Sequence, residues 1–339
     1  MGKDRVKPYF EELLKGYVFD ELSESFLEKM KASDIFKEIP VPIKAVDFTA
    51  FCKGEKGITV LDITRATAVV IGAAAADFPY SEAYKKFLDR IFEGNSEEVI
   101  INEGRQIFEK GEDLAAAAYF RAALRINPES LHGLYSYALC CRELYLNSED
   151  ENFVGKFKAE SIEAFETLSN IHPDFAFTYY YLGYAYLNMG LYTKAFLAWN
   201  DFLEKVKDDP LAEEANDEIK EIRERLASLE GPMEIEAGVL AVSAGRYNEG
   251  IDTLSKYTTG PLSQWWPMYY YLGVAYESIG KADEAIEVFK KALVLSPSNI
   301  EVMDELVSIY RATGDKENEM KYLKKIEVVN RNLADERAE

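Results

Sequence analysis

Apolar residues recur along most of the chain at intervals of three and four residues, a spacing that predicts amphipathic helices. Between Pro8 and Pro40 it predicts one helix or a pair of helices, which Pro40 and Pro42 should end. The apolar positions that carry this prediction are Phe10, Leu13, Leu14, Tyr17, Val18, Leu22, Phe26, Leu27 and Met30. Two more helices are predicted near residues 58–77 and 81–93. We find no internal repeat in residues 1–95, so they form a helical N-terminal segment of unknown role.

The most apolar run of the sequence is Ala66–Ala76. It has 11 residues, about half of the roughly 20 that a membrane-spanning helix requires. We therefore expect a buried helix at this run, and no association with a membrane.

From residue 97 onward the chain repeats itself with a period of 34 residues. In residues 97–130, repeat positions 8, 15, 20, 24, 27 and 32 hold Gly104, Gly111, Ala116, Phe120, Ala123 and Pro128. In residues 266–299 the pattern is fuller and consists of Tyr269, Leu272, Gly273, Tyr276, Gly280, Ala285, Phe289, Ala292 and Pro297. The octets that begin at Tyr179 and Tyr269 differ at one position, Tyr184 against Val274.

This pattern resembles the tetratricopeptide repeat, a pair of antiparallel helices that stacks into a solenoid. Small residues at positions 8 and 20 allow the two helices to approach closely, and bulky residues at positions 4, 7, 11 and 24 fill the space between them. The glycine at position 15 permits the turn between the helices, and the proline at position 32 ends the second helix. The resemblance covers about residues 97–333 and implies an all-α protein with an α-α superhelix of about six helix pairs.

The remaining units follow the pattern less closely. Residues 176–209 and 300–333 keep most of it, although Lys207 stands where proline is expected. The unit near Leu131 has about 11 extra residues, and the unit near Gly231 has Gly250 at position 20. Residues 211–230 fit no repeat and predict a single connecting helix. The predicted order is an N-terminal segment (1–95), repeats one to three (96–210), the connecting helix (211–230), repeats four to six (231–333) and an acidic tail (334–339).

Charge narrows the range of partners. The 39 basic and 60 acidic residues give a formal charge of −21, which repels nucleic acid and anionic membranes. Residues 1–95 hold 14 basic and 16 acidic side chains, so the remainder holds 25 and 44. We interpret this acidic exterior mainly as a source of solubility, with an acidic docking face for a basic partner as the alternative.

The three cysteines favour a reducing compartment. Cys140 and Cys141 are adjacent in a predicted helix, where a bridge between neighbours would require distorted geometry. The sequence also has no disulfide framework and no apolar stretch behind the charged start at Lys3, Asp4 and Arg5. We therefore expect a cytoplasmic protein with reduced, buried thiols.

Catalytic and metal-binding patterns are missing from the sequence. The two histidines, His132 and His172, have no partners at metal-ligand spacing, and no glycine-rich phosphate loop or nucleophile elbow occurs. Carboxylate pairs are too numerous for one to be selected as an acid–base pair. We expect no enzymatic activity, no cofactor and no metal.

The resemblance also implies a binding surface. In tetratricopeptide arrays the first helix of each pair lines the concave face, and positions 2, 5, 9 and 12 point into it. Carried over to this sequence, these positions predict an aromatic groove with two arginines, whose candidate peptide-binding residues are Ile101, Arg105, Phe108, Tyr135, Leu139, Arg142, Phe177, Tyr180, Tyr184 and Tyr270. Tyrosine suits such a surface because its rigid ring gives contact area and its hydroxyl bonds to peptide backbone. The alternative is that the chain itself covers these rings, through its N-terminal helices or its C-terminal tail.

The leading interpretation is an intracellular scaffold or adaptor that holds a peptide segment of a partner protein in this groove. The second is a structural protein that assembles with copies of itself through the connecting helix or the N-terminal helices. The third is a regulator that senses peptides, which the absence of a helix-turn-helix and of a basic surface disfavours.

Overall fold

The computed structural model describes residues 4–75, 77–208 and 215–336. The α-helices are α1 (Lys7–Leu14), α2 (Glu24–Lys29), α3 (Ala45–Cys52), α4 (Val60–Ala73), α5 (Ser81–Ile91), α6 (Ser96–Phe108), α7 (Asp113–Ile126), α8 (Leu131–Leu146), α9 (Glu151–Ile171), α10 (Ala176–Asn188), α11 (Tyr192–Lys205), α12 (Asn216–Ala227), α13 (Glu230–Ser243), α14 (Tyr247–Leu254), α15 (Trp266–Ser278), α16 (Ala282–Leu295), α17 (Ile300–Thr313) and α18 (Lys316–Glu336). Short 3-10 helices span Val206–Asp208, Ser255–Tyr257 and Pro261–Gln264. The predicted all-α class is confirmed.

The chain divides into two compact units. The first consists of Met1–Leu182 and Lys205–Asp209, and the second of Gly183–Glu204 and Pro210–Glu339. The first unit contains the N-terminal segment and the helix pairs α6–α7 and α8–α9, and the second contains the pairs α13–α14, α15–α16 and α17–α18. The first division along the chain falls inside α10, between Leu182 and Gly183.

The N-terminal segment differs from the continuous helical pattern expected of it. Tyr17–Asp20 (β1) and Val41–Lys44 (β2) form a two-stranded antiparallel ribbon in which Tyr17 pairs with Lys44. Helix α1 ends just before Gly16, and the β-branched residues at 18, 41 and 43 suit an extended backbone. Pro42 is tolerated because a two-stranded ribbon leaves one side of each strand unpaired.

Helix α4 joins this segment to the first repeat. It starts at a capping box in which Thr59 and Asp62 bond each other's backbone N–H groups. Ten of its residues are buried, and a β-carbon added at Gly72 would lie 1.7 Å from the carbonyl oxygen of Ala118 in α7. The predicted buried helix therefore lies in the core of the first unit as part of α4, which ends at Ala73; Ala76 is outside the described residues.

Glycines fix the spacing within three of the repeats. A β-carbon would lie 2.8 Å from Phe120 at Gly104, 2.1 Å from Trp199 at Gly183 and 2.5 Å from Phe289 at Gly273. Each glycine thus provides the space that an aromatic ring of the second helix fills. The turn glycines Gly111, Gly190 and Gly280 have φ values of 77°, 72° and 78°, which other residues rarely adopt.

The extra residues of the second repeat have a packing role. They form the short loop after α8 and the first turns of α9, which is 21 residues long. The ring of Tyr9 in α1 lies 4.8 Å from that of Phe153 and 5.5 Å from that of Phe157 in α9. The lengthened helix therefore provides the surface on which α1 packs.

The predicted connecting helix is described only from residue 215, because residues 211–214 lie outside the described ranges. Helix α12 covers Asn216–Ala227, and the chain turns at Ser228 before α13 begins at Glu230. Of the predicted acidic tail, 334–336 continue α18 and 337–339 lie outside the described residues. None of the helices in the described parts of the chain is long and apolar enough to cross a bilayer.

Candidate protein-binding surfaces

The three candidates in the first repeat differ in accessibility. Ile101 is only 4% exposed and belongs to the core, so the structure does not place it on a binding surface. Arg105 is exposed and Phe108 is half-buried. Position 5 of this repeat is therefore a core position in this protein, contrary to the groove position that the repeat register predicts.

The second and third repeats bring several aromatic rings together in the first unit. We call this group the Tyr181 cluster, and its members are Tyr135, Phe165, Phe175, Phe177, Tyr180 and Tyr181. The rings of Phe165 and Tyr181 stack at 5.2 Å with an interplanar angle of 13°. Tyr135 lies 5.0 Å from Phe175 and 6.2 Å from Tyr181, measured between ring centroids. All members except Phe165 are half-buried, so the cluster has both a packed side and an accessible side.

Arg142 adds a cation to this cluster. Its guanidinium carbon lies 5.5 Å from the centroid of the Tyr181 ring, within the range of a cation–π interaction. An Nη atom also donates to Glu143 at 2.8 Å. Arg142 is half-buried, as is the neighbouring candidate Leu139.

Four of the ten candidates therefore belong to this surface, namely Tyr135, Arg142, Phe177 and Tyr180. The sequence prediction did not include Phe165, Phe175 and Tyr181, which complete it. These residues lie at packing or loop positions of the repeat, where a half-exposed ring has the same sequence signal as a core ring. Only their side-chain arrangement distinguishes the two.

Tyr184 is covered by the chain itself. In the second unit, Nε of Arg225 in α12 donates to the Tyr184 hydroxyl at 2.9 Å, and the guanidinium lies 4.8 Å from the ring centroid. Glu221 holds the same guanidinium through two hydrogen bonds of 3.0 and 2.8 Å. The Trp199 ring meets Tyr184 edge-on at 5.2 Å. The ring is thus covered by α12, rather than by the N-terminal helices or the C-terminal tail that the sequence suggests.

Tyr270 lies in an acidic setting. Its hydroxyl donates to Glu301 at 3.1 Å and to Glu305 at 3.2 Å, and its ring lies 6.0 Å from that of Phe289. Burial, together with these carboxylates, raises the pKa of Tyr270, so the hydroxyl remains a donor at neutral pH. Burial, and then Glu305, also raises the pKa of Glu277.

The cysteines and acidic side chains offer no metal centre within the described ranges, where no group of three His, Cys, Asp or Glu residues has suitable geometry. Cys140 and Cys141 are buried free thiols, and Cys52 is exposed. Burial raises the pKa of both buried thiols, so they remain protonated and unreactive.

Comparison with protein families identifies residues 266–299 as a tetratricopeptide repeat. These residues contain α15 and α16, the helix pair in which Gly273 contacts Phe289. No match was found among curated proteins.

Solved structures with similarity to the chain include the TPR domain of P58(IPK), with 19% identity and a TM-score of 0.39; the match covers 68% of this chain and 59% of that domain. YrrB, described as a TPR protein with an unusual peptide-binding site, has 16% identity over 64% of this chain and 96% of its own, with a TM-score of 0.32. MamA from Desulfovibrio magneticus RS-1 has 14% identity over 70% of this chain and 96% of its own, with a TM-score of 0.27. The chain therefore spans less than two thirds of the first of these structures.

Proposed function

We propose that this chain, whose residues 266–299 match the tetratricopeptide repeat, is a scaffold for contacts between proteins and holds a peptide segment of a partner protein on the Tyr181 cluster. The observation that carries this proposal is the group of half-buried rings beside Arg142. Binding, rather than catalysis, is the proposed activity, and it needs no cofactor.

The chemistry of the cluster favours an extended segment with apolar or aromatic side chains. The rings of Phe177 and Tyr180 meet edge-on at 6.4 Å, and those of Tyr180 and Tyr181 at 5.1 Å. Rings held by their neighbours lose little freedom when a ligand binds, so more of the contact energy appears as affinity. The guanidinium of Arg142 can donate hydrogen bonds to a peptide carbonyl or carboxylate beside them.

The net charge of the chain and its buried thiols support a proposal for the class of partner and for the location. We propose a protein partner rather than nucleic acid or a membrane, since the formal charge of −21 opposes both. We also propose a cytoplasmic location, because buried free thiols at Cys140 and Cys141 suit a reducing compartment.

Selection from a displayed library of random peptides tests this proposal. Peptides should be selected on the wild-type chain and then measured against Tyr180→Ala and against the control Tyr145→Ala, a half-buried tyrosine of α8 outside the cluster. We expect Tyr180→Ala to weaken binding by about 2 kcal/mol, or roughly thirtyfold, and the control to leave it unchanged.

Two outcomes contradict the proposal. If peptides bind equally to Tyr180→Ala, with helicity by circular dichroism unchanged, recognition lies outside the cluster. If no peptide is selected and light scattering gives a mass that rises with concentration, self-assembly becomes the better interpretation.

A further inference from the structure

A polar cleft of about 260 Å³ lies in the first unit, away from the Tyr181 cluster. The β1–β2 ribbon, the start of α3, and helices α4, α6 and α7 form its walls. It therefore lies where the N-terminal segment meets the first repeat. The tight contact of Gly72 with α7 fixes one end of α4, and the α4 residues that line the cleft are Asp62, Arg65, Ala66 and Val69.

Tyr119 lines this cleft although only 5% of the residue is exposed. Within the described residues its hydroxyl has no hydrogen-bond partner, and neither does that of Tyr17 across the cleft. Neither oxygen is among the fully enclosed polar atoms that lack a partner in the described residues, so both hydroxyls are open to solvent in the cleft and can donate to a ligand there. Burial, with Glu112 and Asp47, raises the pKa of Tyr17 to about 12, and burial raises that of Tyr119 further, so both are neutral donors.

Some of the charges in the cleft are already paired. Arg65 holds Glu103 through hydrogen bonds of 3.0 and 3.3 Å. Lys56, next to the cleft, holds Asp47 at 2.8 Å and Asp62 at 3.3 Å. Because these side chains already pair with each other, they hold the walls of the cleft in place and do not supply a free charge for a ligand.

Charges of both signs remain available. Lys44, Lys110 and Glu112 line the cleft, and none of them forms an ion pair with any residue that the structure describes. Lys44 lies opposite Tyr17 in the ribbon, so the two side chains project from the same face. The cleft thus presents unpaired cations and an unpaired carboxylate together with two hydroxyl donors.

Part of the remaining wall is apolar, although Gln106 also lines the cleft. Ala66 and Val69 of α4 face the cleft from one side, and Ala115 of α7 faces it from the other. A ligand that matched only the charges would leave this surface in contact with water. A short aliphatic group would cover it.

We propose that this cleft binds a free α-amino acid with a short aliphatic side chain. The ammonium group pairs with Glu112, the carboxylate lies between Lys44 and Lys110 and accepts the Tyr119 hydroxyl, and the side chain contacts Ala66, Val69 and Ala115. This site is independent of the proposed peptide surface, because it shares no residue with the Tyr181 cluster.

Calorimetric titration of the full chain with L-leucine tests this site. The two controls are 3-methylbutylamine, which is leucine without its carboxylate, and 4-methylpentanoate, which is leucine without its ammonium group. We expect saturable binding of one leucine per chain, and each analogue to bind at least about tenfold more weakly because it leaves one charge of the cleft unpaired.

Variants locate the binding in the cleft. Tyr119→Phe keeps the ring and should weaken leucine binding about tenfold, whereas Tyr145→Phe in α8 should not change it. Glu112→Gln should weaken binding similarly, whereas the neighbouring exposed Glu109→Gln should not. Absence of saturable binding, equal binding of either analogue, or an unchanged affinity in Tyr119→Phe with native circular dichroism would each overturn the proposal.

Discussion

Gly72 sets the closest approach between α4 and α7. An added β-carbon would overlap the Ala118 carbonyl, a backbone atom that cannot move away as a flexible side chain can. We expect Gly72→Ala to lower the free energy of unfolding by about 3 kcal/mol, measured by urea denaturation.

Gly155 in α9 is the matched control for this prediction. A β-carbon there meets nothing within 4 Å. Because alanine is the better helix former, Gly155→Ala should raise the free energy of unfolding by about 0.5–1 kcal/mol. If both variants have the same stability, the tight contact at Gly72 does not exist in solution.

Single residues also mark the limit of the sequence-based prediction of the candidate site. The repeat register identified Tyr135, Arg142, Phe177 and Tyr180, which the structure groups around Tyr181. It could not reveal that Ile101 is buried, because the register assigns a position to a helix face without showing what packs against that face. It equally could not separate exposed from packed rings at Phe165 and Phe175, since both kinds have the same residue type.

At the scale of an element, the stability of the N-terminus of α4 depends on the ionisation of Asp62. Burial alone would raise the pKa of Asp62, but the hydrogen bonds from Thr59 and Lys56 together hold it below its usual value. A lowered native pKa stabilises the fold above the unfolded pKa, and this contribution is lost as the pH falls through the native pKa. We expect Asp62→Asn to cost about 1 kcal/mol in urea denaturation at pH 7, and the difference to shrink toward about pH 3.

Asp89 provides the control for this pH dependence. It is an exposed residue of α5 and lies outside the cap. Asp89→Asn should change the stability little at either pH. If the loss of unfolding free energy in Asp62→Asn stays constant down to acidic pH, the Asp62 carboxylate does not stabilise the fold through its ionisation.

The contact between α12 and Tyr184 is also testable as an interaction between elements. In a double-mutant cycle of Arg225→Ala and Tyr184→Phe we expect a coupling energy of about 1 kcal/mol, because the hydroxyl accepts from Nε; phenylalanine keeps the ring beside the guanidinium, so the cycle measures the hydrogen bond. Denaturation of the four proteins measures it. Arg223, exposed on the same helix, should give no coupling with Tyr184. A coupling energy of equal size for Arg223 would contradict a specific contact between Arg225 and Tyr184.

Elements whose apolar residues recur at a regular spacing could be predicted from the sequence, and elements without such a spacing could not. Helix pairs were predictable because a single spacing encodes both their apolar faces and their glycine contacts. The β1–β2 ribbon was missed because its strands are four residues each, too short to show a two-residue alternation against the surrounding helical pattern. Its pairing also joins residues far apart in the sequence.

The division into two units predicts the unfolding behaviour of the whole molecule. The three tryptophans, Trp199, Trp265 and Trp266, all belong to the second unit, whereas helices occur in both. Stacked helical arrays lose cooperativity when their parts differ in stability. We expect the urea transition followed by tryptophan fluorescence to differ in midpoint from the one followed by circular dichroism; coincident transitions would mean that the chain unfolds as one body.

The single difference between the two tyrosine-rich octets coincides with the ring that α12 covers. The Tyr184 hydroxyl accepts a hydrogen bond from Arg225, whereas Val274 at the equivalent position has no hydroxyl. The two octets therefore differ at the one position whose side chain, in the first octet, bonds to α12. Anyone who engineers a shorter or more regular array from this chain should begin at position 184, where Tyr184→Val would make the two octets identical and remove the hydroxyl that Arg225 bonds.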